Sequence, residues 1–257
     1  MALFVDGPVA TVDLLTDYDS NVLAVSASEG INLTTKLMRA HDAMYLELVR
    51  LMRRSEFYTE RYLWVPHRGI ENVIWSKALE IWQVYDALAL VYRDAYYSQL
   101  NDRHQARAAE YSVLANTARR ELIENGLGLA ASPLRRPSQP IVSLLPASEV
   151  GGTYYFSISY TNDQNQESSG SVMLAVNVAD GNAADLTLGL PPVRNATGWN
   201  LYAGPAPDQM FRQNDSPLVL TSDWAYLPSL ALTSGFGLPT GQTADQHWPL
   251  HRFLQRG

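Results

Sequence analysis

The chain has no cysteine in its 257 residues. Disulfides, zinc–thiolate sites and thiol catalysis are therefore excluded, and the redox compartment cannot be read. Long apolar runs are missing as well. The longest, Ala87 to Tyr92, falls far short of the ~20 residues that a membrane-spanning helix needs. The N-terminal stretch MALFVDGPVATVDLL has no basic start, and Asp6, Gly7 and Pro8 interrupt the place of an apolar core. No signal peptide is expected from it. Basic charge is in short supply: 19 Lys and Arg stand against 26 Asp and Glu, a net charge of −7. A sequence-reading DNA binder would show a basic face, so that class is disfavoured, while passage of DNA nearby without adhesion is allowed.

The deficit is uneven. Residues 1–136 carry 15 basic and 17 acidic residues, residues 137–245 carry 2 and 9, and residues 246–257 carry Arg252 and Arg256 with no acid. The pattern of apolar residues divides the chain in the same place. From about Asp19 to Gly126 they recur at three and four, a helical period; from about Ile141 to Leu227 they alternate, a strand period. Between the two lies GLGLAASPLRRPSQP, Gly126 to Pro140, a linker by composition. The expected fold class is α+β with two segregated domains. An N-terminal helix bundle (1–136) precedes a C-terminal antiparallel β-sandwich of fibronectin or immunoglobulin type (137–240) and an extended tail (241–257).

In the helical half, Asp19 is a candidate N-cap for a short helix ending near Gly30, and Asn32 caps the next. There Leu33, Leu37, Ala40, Met44, Leu48 and Leu51 form one apolar stripe, with Arg50, Arg53 and Arg54 in its expected last turn. Residues Ser55 to Asn72 read as irregular. A third helix is predicted from Val73 to Leu100, with Leu79, Trp82, Leu88 and Tyr92 buried, and a fourth from Gln105 to Asn125, with Ala108, Tyr111, Ala115, Ala118 and Leu122 on one face. In the second half the strands expected are Thr153–Thr161, Ser171–Val178, Asp185–Leu190, Trp199–Ala203 and Leu218–Thr221. From Thr233 the pattern fades into a tail of Gly, Pro and Gln, of a kind that stays disordered unless something holds it.

Motifs with chemistry are few. There is no G-x-S-x-G, and the serines lie in turns. His247 and His251 have i, i+4 spacing, but Pro249 between them spoils a helix, and His41, His67 and His104 are scattered; surface histidines are the expectation. Asp86, Asp94 and Asp102 recur every eighth residue, which reads as a solvated face pairing with Arg93, Arg103 and Arg107. Gly235 to Gly241 is glycine-rich but misses the spacing and the following helix of a phosphate loop. Trp75, Trp82 and Trp199 read as core. Arg135 and Arg136 read as solvated or as an intersubunit salt bridge. Trp248 has no visible core of its own and, with Arg252, Phe253 and Arg256, has the composition of an interface anchor; the equal alternative is an ordered tail packed on its own β domain. No catalytic residue, cofactor or metal is expected.

Two segments, DSNVLAVSASEGINLTTKL (Asp19–Leu37) and ALVYRDAYYSQLNDRHQARAAEY (Ala89–Tyr111), followed by RRELIENGLG, resemble the helical core of tailed-phage head–tail adaptor (connector) proteins. The similar feature is a Tyr-Arg-Asp segment, here Tyr92, Arg93 and Asp94, followed by a Gly-hydrophobic-Gly end. The order TYYFSISYTNDQNQES, DLTLGLPP, ATGWNLYAG resembles a fibronectin type III domain. The resemblance implies a virion protein of the phage neck, assembled in the host cytoplasm. It implies self-association in a ring, usually twelve-fold, beneath the portal protein, contact with a tail, nozzle or fibre component, and DNA passing through without specific binding. It implies no enzyme and no membrane partner. It also implies an interface role for Tyr92, Arg93, Asp94, Arg135, Arg136 and the tail cluster. The alternative reading is a tail, baseplate or fibre-attachment binding module with a β-sandwich recognition domain.

Overall fold

Short polar side chains and glycines set the helix ends. In the computed structural model, which describes residues 2–59, 69–99, 102–189 and 193–250 (side chains of 55–59 and 99 excepted), five α-helices precede all the β-strands. Helix α1 (Val12–Tyr18) starts where Thr11 Oγ1 accepts the Leu14 N–H at 3.2 Å. Helix α2 (Val22–Glu29) ends at Gly30, whose φ of 62° lets its N–H reach the Ser26 carbonyl. Helix α3 (Leu33–Thr59) starts where Asn32 Oδ1 accepts the Thr35 N–H at 3.0 Å. Ser76 Oγ receives the Leu79 N–H at the head of α4 (Lys77–Gln99). Helix α5 (Asp102–Asn125) is stopped by Gly126, φ 76°, in the left-handed conformation glycine reaches without penalty.

Chain contacts divide the molecule into two compact units, Phe4–Ala131 together with the segment from Ala244, and Ser132–Thr243 together with Met1–Leu3. In the first, α4 packs against α5 along its length, and α1, α2 and α3 all pack on α4. The core runs through Leu15, Val22, Leu37, Ala40, Val84, Leu88 and Tyr92. The six-residue stripe expected on α3 is buried throughout, as are Tyr111, Ala115, Ala118 and Leu122 on α5. Four expectations need correction. Asp19 is the C-cap of α1 and not the N-cap of α2, whose N-cap position is Asn21. Helix α3 continues to Thr59, so Arg50, Arg53 and Arg54 lie inside it and not in its last turn. Helix α4 starts at Lys77, not Val73, because Val73 and Ile74 are taken into β-pairing: Val73 bridges Leu129, and the Ile74 N–H donates to the Gly128 carbonyl. The supposed linker begins as a strand, β1 (Leu127–Leu129).

Strand β1 pairs antiparallel with the last described strand, β10 (Gln246–Trp248), in the register Leu127↔Trp248. The two glycines around Leu127 make room for it. A Cβ on Gly126 would lie 2.5 Å from the Trp248 carbonyl oxygen, and one on Gly128 would lie 2.9 Å from Ala244 Cβ. Residues 244–250 are thus part of the helical unit.

The other unit holds eight strands: β2 (Ile141–Pro146), β3 (Gly152–Thr161), β4 (Leu174–Val178), β5 (Asn182–Thr187), β6 (Gly198–Gly204), β7 (Phe211–Arg212), β8 (Leu218–Val219) and β9 (Trp224–Tyr226). They form two antiparallel sheets, β2-β5-β9 and β4-β3-β6-β7, with β8 also on β6. Phe156, Ile158 and Tyr160 of β3, Trp199, Leu201 and Ala203 of β6, and Ala184, Leu186 and Tyr226 of the smaller sheet share one buried cluster. An α+β architecture with helices first and antiparallel sheets after is what the two periods predict. Strand β5 starts earlier than expected, directly after Gly181 (φ 78°) turns the chain. Residues 233–243 do not trail away: the Arg212 N–H donates to the Phe236 carbonyl at 2.9 Å, Ser169 bridges Thr240, and Gln242 is buried.

Candidate functional site

Helix α4 delivers Tyr92, Arg93 and Asp94 on three different headings, and their surroundings differ accordingly. Tyr92 points inward and is 3% exposed. Its hydroxyl donates to Asp19 Oδ2 at 2.6 Å, and the Tyr111 hydroxyl of α5 donates to the same oxygen at 2.8 Å. Asp19 Oδ1 accepts the Asn21 N–H at 2.9 Å. Asp19 therefore closes α1 and steers the chain into α2, while holding α4 to α5. The Tyr92 and Tyr111 rings stack at 5.6 Å, and Tyr85 lies 6.2 Å from Tyr111.

Burial works against the charged form of Asp19. Hydrogen bonds from Tyr92, Tyr111 and the Asn21 amide, with the Arg107 guanidinium nearby, outweigh it and hold the carboxyl below its ordinary range. Both tyrosines are pushed well above theirs, by burial first and then by donating to a carboxylate.

Asp94 pairs with Lys36 of α3, whose side chain is 7% exposed. The pair borders a cleft of about 310 Å³, lined also by Glu29, Asn32, Thr35 and Arg39. Arg93 is exposed. A second polar tie between helices is the Arg119–Glu47 pair from α5 to α3, with Arg50 Nη1 3.7 Å from Glu47. The acidic row is not one solvated face. Asp94 is used by Lys36, Asp102 is exposed at the start of α5, and Asp86 is partly buried, its carboxyl raised by burial and eased by Arg93.

Tyr92 is corrected from a subunit-interface residue to an interior one, and Asp94 is held by its own chain. Arg135 and Arg136 lie in the β unit and are exposed, with Arg136 Nε 3.5 Å from Ser169 Oγ. Trp248 is corrected too: it is 6% exposed and seated in its own chain opposite Leu127, so its burial requires no partner. Arg252, Phe253, Arg256, His251 and His67 lie outside the described residues. His41 is not a surface residue: its ring stacks on Phe4 at 4.5 Å and its Nε2 lies 3.0 Å from the Phe4 carbonyl oxygen. His104 buries Nδ1, which has no hydrogen-bond partner among the described residues. Among the described residues no cluster of His, Asp and Glu has metal-binding form, and no helix is long and apolar enough to cross a membrane.

The β unit holds a polar centre that periodicity alone does not reveal. Glu167 Oε1 accepts Asn200 Nδ2 at 2.7 Å, the Tyr202 hydroxyl at 2.7 Å and the Ser159 hydroxyl. Burial first, then the bond to Glu167, drives the Tyr202 phenol far above its ordinary range. The segment around it runs beside β3: the Ser168 and Ser171 amides donate to the Tyr160 and Ile158 carbonyls, and their hydroxyls accept the Tyr160 and Ile158 amides. Among the described residues its side-chain partners Ser159, Asn200 and Tyr202 all belong to β3 and β6, so the centre ties the loop after β3 to that sheet. Comparison with protein-family models, curated proteins and solved structures finds no match.

Proposed function

We propose that this chain is a structural protein of a tailed-phage neck: a head–tail adaptor subunit that joins portal to tail components in a ring and lets DNA pass. One observation carries the reading. The segments in which the adaptor resemblance lies, Asp19–Leu37 and Ala89–Tyr111, meet in space through Asp19–Tyr92–Tyr111 and Lys36–Asp94. Tyr92 and Asp94 of the Tyr-Arg-Asp segment thereby gain a physical task, holding α4 against the helices around it, while Arg93 is exposed. A helical unit with such internal ties is a rigid block suited to repetition in a ring.

The β unit supports the fibronectin-like part of the proposal. With β2 to β7 taken as strands B, C, C′, E, F and G, the neighbours B–E and C′–C–F–G are those of an immunoglobulin-type sandwich. Strand β9 then lies in the place of D although it follows G in the chain. We assign this unit to docking a tail, nozzle or fibre component. The binding-module alternative draws on Phe236, 70% exposed beneath the Arg212 guanidinium at 4.7 Å, and on exposed Val172 and Leu238. Capture on purified portal protein separates the two. An adaptor binds portal and adds a ring to it; a fibre-attachment module binds tail parts only.

A further inference from the structure

We propose that the outward half of α3 docks on the α1–α2 flank of a second copy of this chain, head to tail. The proposal rests on the ring reading and names the surfaces that build the ring. Helix α3 buries one side in its own core and leaves a broad apolar strip on the other: Met38 is 54% exposed, Tyr45 39% and Leu46 71%. At helical spacing these fall on one half of the cylinder, and Arg39, Arg50, Arg53 and Arg54 border them on the same half. All four arginines are exposed. Among the described residues Arg39, Arg53 and Arg54 have no ion pair, while Arg50 shares Glu47 with Arg119. Asp42 is an exposed acid inside the strip, 3.9 Å from His41.

The segment that forms α1 and α2 has the opposite sign, with Lys77 of α4, paired to Glu80, the base beside Tyr18. Residues 1–35 include five acids and no Lys or Arg. Asp19 is consumed by its tyrosines, Glu29 by Ser98, and Asp6 is half-buried ahead of α1, which leaves Asp13 and Asp17 exposed on α1. Beside them α2 exposes Leu23 (51%), Ala24 and Ala27. The α3 surface thus pairs an apolar strip with an excess of arginines over Asp42, its one exposed acid among the described residues, and the α1–α2 surface pairs apolar residues with free acids, so the net signs are complementary. Two copies of the α3 face would set arginines against arginines, which disfavours a two-fold contact. A contact between two different surfaces is heterologous, the kind that closes into a ring.

The full-length protein tests this by sedimentation velocity at rising concentration, at low and at high salt. The wild type is expected to associate, more strongly at low salt. Leu46→Asp, Arg50→Glu with Arg53→Glu, and Asp13→Lys with Asp17→Lys should each weaken association by roughly tenfold or more. Mixing the two charge-reversed proteins should restore it. Circular dichroism checks the fold; if Leu46→Asp unfolds, the charge-reversed pair and its mixture decide. A wild type monomeric at every concentration, association indifferent to these changes, or no rescue on mixing would each overturn the proposal. The adaptor reading fails separately, on absence of portal binding: association through α3 without portal capture would sink that reading and leave this surface standing.

Discussion

The helical and β units each hold a carboxylate under tyrosine hydroxyls, and they do so in opposite settings. Asp19 lies in an apolar core and its oxygens are used by two tyrosines and one amide. Glu167 lies in a polar layer of serines and asparagines against the outer side of β3 and β6. Removing a lone buried charge strands its partners in apolar surroundings, whereas a member of a polar layer has neighbours that re-pair. The helical unit should therefore be sensitive at one residue and the β unit chiefly at its apolar core.

The largest effect is expected in that apolar core. Trp199 is fully buried, with Nε1 donating to the Val219 carbonyl at 3.0 Å. Trp199→Ala should cost about 3–5 kcal/mol, read as loss of the β unit's melting transition in calorimetry while the far-ultraviolet helix signal persists. Loss of both signals at once would show that the units do not melt separately.

Asp19→Ala comes next, at about 2–4 kcal/mol, because two buried hydroxyls lose their acceptor. Denaturant melts followed by helix signal measure it. Glu167→Gln should cost less, roughly 1 kcal/mol, since an amide oxygen still accepts from Tyr202 and Asn200. If Glu167→Gln proved the more damaging of the two, the contrast between the settings would be wrong.

Acid sharpens the same contrast. The Asp19 carboxyl is lowered in the folded protein, so its contribution is present above the unfolded value and is lost as pH falls through the folded one, below about pH 4. The helical unit's acid limb should flatten in Asp19→Asn. At the alkaline end, Tyr226 is raised to about 12 by burial. Its contribution is complete below about pH 10, the unfolded value, and fades as pH climbs toward 12. Tyr226→Phe should blunt that part of the alkaline unfolding of the β unit.

Regular burial was legible in the sequence. The α3 stripe, Asn32, Gly30 and Gly126 mark helix faces and ends because period and caps are local. The pairing of β1 with β10 was not, because it joins residues more than a hundred positions apart, and Gly126 and Gly128 serve close approach where their composition suggests a linker. Alternation on β3 sets Phe156, Ile158 and Tyr160 on one face and Ser157 and Ser159 on the other, but it does not tell that both faces are buried, the second under the Ser168–Ser171 segment. The core of Trp248 is out of local view for the same reason as β1: it is built by residues remote in the chain. The Tyr-Arg-Asp segment was noticed, but its partners Asp19, Lys36 and Tyr111 emerge only when the helices pack.

The neck assignment is tested most directly by electron microscopy of purified portal protein mixed with this chain. The account predicts an added ring of density beneath the portal, with one symmetry throughout and as many copies as the ring has positions. Portal particles left bare at saturating chain, at low and at high salt, would contradict it.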